Sequence, residues 1–179
     1  MGGWRDAANQ SLLETEKVSA ILNVVSDQND SAKREANKRE QEYCSSHKIA
    51  YCNIPLKDFT VATDEQFVAG IAFIERNVRL DRKVLVHCGM GLGRSPSFVA
   101  AYLMYKGYDS EAAIALIKNK RDQSCFRGKD EIHVDRIREF EKELPKRLEQ
   151  IGHMTWCFSN SSILNCSLCC LGDCCLHKV

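Results

Sequence analysis

Apolar residues along the chain fall into three short runs and several stripes of helical spacing. Ser19–Ser26, SAILNVVS, is a β-branched apolar run that predicts a buried strand. Ile49–Leu56, IAYCNIPL, predicts a second strand, stopped by Pro55. KVLVH, at 83–87, predicts a third, expected at the sheet centre because it is apolar on both faces. Between the first two, Asp30–Lys48 is highly charged, opens with capping residues and predicts an exposed helix. Lys57–Asp64 reads as a loop. Thr63 and Gln66 then stand at capping-box spacing, with Asp64 and Glu65 in the first turn, where carboxylates are favoured. Phe67, Ile71, Ile74 and Val78 follow at intervals of four, three and four, one buried helical stripe. A further helix is expected around Pro96, with Val99, Tyr102 and Leu103 inward, and another over Ser110–Arg121. The last starts at Ile132, buries Ile137, Phe140, Leu144 and Leu148, and kinks at Pro145. Strands alternating with helices predict an α/β fold, a mostly parallel central sheet flanked by helices on both faces.

Composition adds a boundary. The 179 residues are 44% hydrophobic and 27% charged, ordinary values for one domain, here expected over residues 1–155. From Trp156 the texture changes to WCFSNSSILNCSLCCLGDCCLHKV, which has no helical or strand period and reads as an unstructured tail over 156–179. The net charge of +1 gives no bulk field toward nucleic acid or an anionic membrane. No apolar run approaches the roughly 18 residues of a membrane span, and the start, MGGWRDAANQ, has no apolar signal core, so a cytoplasmic location is expected. Asp6 stands where a myristoylation signal carries Ser or Thr.

In that compartment no disulfide framework is expected among the ten cysteines, those in the body are expected reduced, and the N-x-S matches at Asn29, Asn160 and Asn165 are chance. Cys44, Cys52, Cys88 and Cys125 are scattered, whereas Cys157, Cys166, Cys169, Cys170, Cys174 and Cys175 crowd the tail. Three accounts of that cluster stay open: a segment with no selected role, S-palmitoylation giving reversible membrane attachment, or zinc held by Cys166, Cys169, Cys174 and His177.

The chemistry concentrates in VLVHCGMGLGRSPS, Val84–Ser97, placed between a strand and a helix N-terminus. Glycine fills no volume and costs backbone entropy, so three of them within five positions suit a backbone curled around something small. Gly89, Met90, Gly91, Leu92 and Gly93 can converge their N–H groups into an anion nest, reinforced by the helix dipole. Arg94 can return a planar fork to two phosphate oxygens. Cys88 at the base of such a nest would be held as a thiolate, and a thiolate within a phosphate cradle implies attack on phosphorus with a phosphocysteine intermediate. The leaving oxygen then needs a proton from a carboxylic acid over the pocket. Asp58, in the loop after the second strand, leads; Asp64 competes but is better explained as a first-turn helix charge.

The run His87-Cys88-Gly-Met-Gly-Leu-Gly-Arg94-Ser95 resembles the signature of the cysteine-based protein tyrosine phosphatase superfamily, and the short chain resembles its dual-specificity branch. The likeness spans roughly Ala7 to Glu149, including ILNV and NIPLKD. It implies Cys88 as nucleophile, Arg94 as phosphoryl ligand, His87 as support for the thiolate, Ser95 as helper in breaking the thiophosphate, and Asp58 as general acid. It implies phosphorylated proteins as partners, and neither cofactor nor metal. The loop from Cys88 to Arg94 carries no basic residue, unlike phosphoinositide-directed relatives, and no tyrosine-recognition loop precedes the domain. Hydrolysis of phosphotyrosine and phosphoserine/phosphothreonine is therefore expected. The alternatives are a phospho-binding module without turnover, and a phosphatase of RNA 5′ ends or phosphoinositides. Two departures stand out: the N-terminal β-hairpin usual in the family is missing, and RDQSCFRGKD (121–130) replaces a proline-containing segment, so the far wall of the pocket is expected to differ.

Overall fold

The computed structural model describes residues 1–28, 30–121 and 125–160, without the side chains of 157–160. Among these residues four parallel strands form one sheet: β1 (Gly2–Gly3), β2 (Val18–Val25), β3 (Ala50–Leu56) and β4 (Lys83–Cys88), in the order β1-β4-β2-β3. Short α1 (Trp4–Ala7) and α2 (Gln10–Thr15) lead into β2, and α3 (Ser31–Ser46) joins β2 to β3. Then come α4 (Asp64–Arg79), α5 (Arg94–Tyr105), α6 (Ser110–Lys120), a 3-10 turn at Gly128–Glu131, and α7 (Ile132–Asn160).

Strand alternation divides the core between two faces. Ile21 and Tyr51 point one way, onto Leu13 of α2 and Cys44 of α3. Leu22, Val24, Cys52 and Ile54 point the other way, into the larger core under α4, α5 and α7. There Phe67 sits between Phe98 and Phe140, its ring centroid 5.2 and 4.8 Å from theirs.

Several expectations shift by local geometry. β2, not β4, is flanked along most of its length, because β1 covers β4 only at His87 and Cys88. In α4, Phe67, Ile71 and Ile74 are buried, but Val78 is exposed near the helix end; the helix is otherwise enclosed nearly all round from Phe67 to Glu75. In α5 Phe98, Ala100, Ala101 and Met104 are fully buried, while Val99, Tyr102 and Leu103 of the expected stripe are partly buried against the same core, because α4, α6 and α7 cover this helix on more than one side. Leu148 is exposed, and Ile151 takes up the buried stripe beyond Pro145. The helix runs through Pro145 to Asn160, so the expected boundary at residue 155 falls within helical backbone. The side chain of Cys157, the other tail cysteines and His177 lie outside the described residues. No helix among the described residues is long and apolar enough to cross a membrane.

Candidate active site

β4 ends at Cys88 and α5 begins at Arg94, so the five residues between them turn at the carboxyl edge of the sheet, where open α/β sheets bind ligands. Cys88 is 2% exposed, and its Sγ accepts from the backbone N–H of Gly91 at 3.2 Å. Ser95 Oγ lies 3.4 Å from Sγ and 3.2 Å from the carbonyl oxygen of Gly2, so its single proton serves one or the other. Gly91 has φ +77°, and a β-carbon there would sit 2.8 Å from the Gly2 carbonyl group, so a left-handed turn and a close strand both require glycine. Gly93 is tight for a different reason: a β-carbon would meet Asp130 Oδ1 at 2.3 Å and His133 Cδ2 at 2.6 Å.

Arg94 is buried and folds back across this turn. Its Nη1 donates to the carbonyl of Leu56 at 2.8 Å, and its Nη2 ion-pairs with Asp58. A β-carbon on Gly89 would stand 3.0 Å from that nitrogen. Asp58 follows β3 in a turn closed by Thr60, whose hydroxyl donates to Lys57 O at 2.9 Å. Its second carboxylate oxygen accepts from Lys33 Nζ of α3 at 3.1 Å. Cys88, Ser95, Arg94 and Asp58 therefore meet at one end of the sheet, with the loop Gly89–Gly93 between them.

Asp64 is placed elsewhere. Its carboxylate pairs with Arg136 and, at 3.2 Å, with Arg147, both from α7. Burial works to raise its pKa, but the two guanidiniums outweigh it and hold the carboxyl below its ordinary value. Thr63 Oγ1 caps Gln66 N, and Gln66 Oε1 accepts from Thr63 N, completing the capping box.

The far wall comes from the segment that departs from the family pattern. Phe126 N donates to Leu92 O at 2.9 Å, and Cys125 Sγ lies 3.8 Å from Gly91 O. Next to them are Asp130, whose carboxyl is raised chiefly by burial and also by Asp58, and fully buried His133. Burial, and then the charge of Arg94, pushes the His133 ring down to about 4. Lys129 Nζ stands 5.1 Å from the ring centroid of exposed Phe59, next to Asp58, tying this wall to the loop after β3.

Behind the loop, His87 is 2% exposed and its Nε2 lies 2.8 Å from Glu40 Oε1. The sequence reading assigns no role to Glu40, Lys33, Asp130 or His133. For Lys33 and Glu40 a signal exists: with Asn37 and Cys44 they stand at intervals of four, three and four along α3, a largely polar stripe at helical period.

The family profile described as "Dual specificity phosphatase, catalytic domain" matches residues 1–143. The chain belongs to the dual-specificity phosphatase family. It is 32% identical over 123 residues to human dual specificity protein phosphatase 5, covering 68% of this chain and 29% of that protein. It is 32% identical over 83 residues to the Arabidopsis thaliana phosphatidylglycerophosphate phosphatase PTPMT1, covering 45% of this chain and 23% of that one. The chain thus spans less than a third of the length of either relative. Among solved structures, Tk-PTP in its active form superposes with a TM-score of 0.57 at 25% identity, over 78% of this chain and 88% of that one. The kinase-associated phosphatase, crystallised with its catalytic-site cysteine changed to serine, superposes at 0.66 and 19% identity, over 79% and 77%. The latter likeness is one of fold.

Proposed function

We propose that this chain hydrolyses phosphotyrosine and phosphoserine/phosphothreonine in proteins through a phosphocysteine intermediate, with no metal or cofactor. The observation that carries this reading is the convergence of Cys88 Sγ, the Gly91 N–H, the Ser95 hydroxyl, the Arg94 fork and the Asp58 carboxyl at one turn. Two N–H groups of Arg94 would hold equatorial phosphoryl oxygens while the Cys88 thiolate attacks phosphorus in line. An S–P bond forms, the ester P–O bond breaks, and the departing oxygen takes a proton from Asp58. Water then attacks phosphorus and gives a proton to the Asp58 carboxylate. The S–P bond breaks, inorganic phosphate leaves, and the Ser95 hydroxyl supports the returning thiolate. Because Arg94 Nη2 is paired with Asp58, an arriving phosphoryl group competes for that nitrogen and frees the carboxyl to face the leaving group.

The experiment is turnover of p-nitrophenyl phosphate and of phosphopeptides bearing each residue. Cys88→Ser abolishes turnover while retaining capture of phosphopeptide, and Asp58→Asn slows phosphoserine and phosphothreonine peptides at least tenfold more than the aryl ester, whose leaving group needs no proton. Binding without phosphate release by the unaltered chain would make it a phospho-binding module. A preference for phosphoinositides or RNA 5′ ends in side-by-side assays would move the substrate class; the loop Gly89–Gly93, free of basic side chains, argues against such polyanions. A cytoplasmic location, with any membrane attachment made through the tail, completes the proposal.

A further inference from the structure

We propose that Glu40 is a positioning residue for the nucleophile, acting through His87; this rests on the reading of Cys88 as the attacking group. Glu40 lies in the middle of α3, on the face of the sheet away from α5, and its side chain is 12% exposed. One carboxylate oxygen stands 2.8 Å from His87 Nε2. The other accepts from Asn23 Nδ2 at 2.6 Å. Asn23 is the register partner of His87 across β2 and β4, and its own Oδ1 accepts from Val25 N at 2.7 Å. The Asn23 amide also reaches Tyr51 Oη at 3.1 Å and Asn37 Oδ1 at 2.9 Å.

A mostly buried carboxylate is costly unless it is paired, and apolar residues of the same volume would fill the space at no such cost. The cost has a use at this position. A proton placed on Nε2, between the ring and the carboxylate, would hold the imidazole in one orientation behind Cys88. A ring fixed next in sequence to Cys88 holds the end of β4 where the Gly91 N–H faces Sγ, which is the contact a thiolate needs. Other groups face this cluster. Tyr51 from β3 and Cys44 from α3 are both raised by burial first and by Glu40 second, Cys44 to about 12, so both stay neutral beside it. Across a cavity of about 780 Å³ that reaches His87 and Glu40, α3 also presents Tyr43, and Lys33 and Arg39 against Asp30 and Glu35, while α1 presents Trp4 and Ala7 and no charge.

The test reads the thiolate without any substrate. The rate at which iodoacetamide alkylates Cys88, followed on its own peptide by mass spectrometry, is measured against pH for the full chain, Glu40→Gln and Tyr51→Phe, with folding checked by far-UV circular dichroism and Tm. Glu40→Gln moves the acidic limb of that rate up by about one pH unit, so alkylation at pH 6 slows about tenfold. Tyr51→Phe, which removes a network hydroxyl that does not touch His87, leaves the limb in place. An unmoved limb in folded Glu40→Gln, or an equal movement in Tyr51→Phe, overturns the proposal. If Glu40→Gln fails to fold, long-range 15N–1H correlations on the unaltered chain decide: a proton on His87 Nε2 supports the assignment, and a bare Nε2 overturns it. Because alkylation needs no turnover, failure here is distinguishable from failure of the phosphatase reading.

Discussion

Acidification should destabilise this fold through one histidine, well above the pH at which its carboxylates give way. His133 is 1% exposed in the first turn of α7, with its ring against Gly93 and Asp130 Oδ1 3.9 Å away. Burial, reinforced by the Arg94 charge, pushes the ring down from 6.5 to about 4. The unfolded chain therefore takes up a proton near pH 6.5 that the folded chain refuses until about pH 4. Stability is full above the unfolded value, falls as pH drops through that window, and levels off below it. The slope approaches 1.4 kcal/mol per pH unit, and the whole gap comes to roughly 3 kcal/mol. Against a typical stability of about 5–15 kcal/mol this is a large share. Asp64 and Glu75, both held below their ordinary values, add losses only as pH falls through the carboxylate range. Asp130 works the other way, since its raised carboxyl costs stability as pH rises past its ordinary value of 3.8. Urea unfolding of the full chain and of His133→Gln at intervals from pH 7.5 to 5 isolates the effect. The unaltered chain should lose about 2 kcal/mol between pH 7.5 and 5 that the variant does not lose. Parallel curves would refute the reasoning, because a ring protonated equally in both states has no linkage to folding.

Gly91→Ala should abolish turnover and cost about 1–2 kcal/mol or more in urea unfolding, since its φ of +77° suits glycine and the β-carbon would press on the Gly2 carbonyl at 2.8 Å. Asp64→Asn should cost about 1–3 kcal/mol by leaving Arg136 and Arg147 short of a charged partner; its dependence of rate on leaving group should match the unaltered chain, and a selective loss on poor leaving groups would make Asp64 the acid. Phe98→Ala should cost about 3–5 kcal/mol, because this ring is 1% exposed and packs edge-on to Phe67.

β2, β3, β4 and the capping box were legible because each is a local pattern, whereas the two-residue β1 carries no apolar pattern of its own. From Ala20 to Val25 the run SAILNVVS is apolar at every position but Asn23 because β2 buries both faces, and Thr63 with Gln66 declares a helix start within four residues. The turn from Cys88 to Arg94 was legible for the same reason: its glycines, cysteine and arginine are contiguous, so chain geometry alone brings them together. Errors arose where burial depends on what lies across the fold. KVLVH looks central by composition, yet four of its five residues have no strand on one side. Leu148 fits the α7 stripe by spacing, yet beyond Pro145 burial passes to Ile151.

α3 shows most clearly why the rest was hidden. Its sequence has the composition of a solvated helix, and much of it is exposed. The stripe Lys33, Asn37, Glu40, Cys44 has the right period for an inward face but the wrong polarity for a core, so hydrophobic patterning passes over it. It becomes intelligible only with its partners: Lys33 meets Asp58, and Glu40 meets His87, 47 positions along the chain. Neither carboxylate nor histidine announces that pairing locally, since isolated charged residues are usually solvated. A buried polar cluster is thus a tertiary property that must be read from coordinates, and here its members lead from the middle of a charged helix to the residue that precedes Cys88.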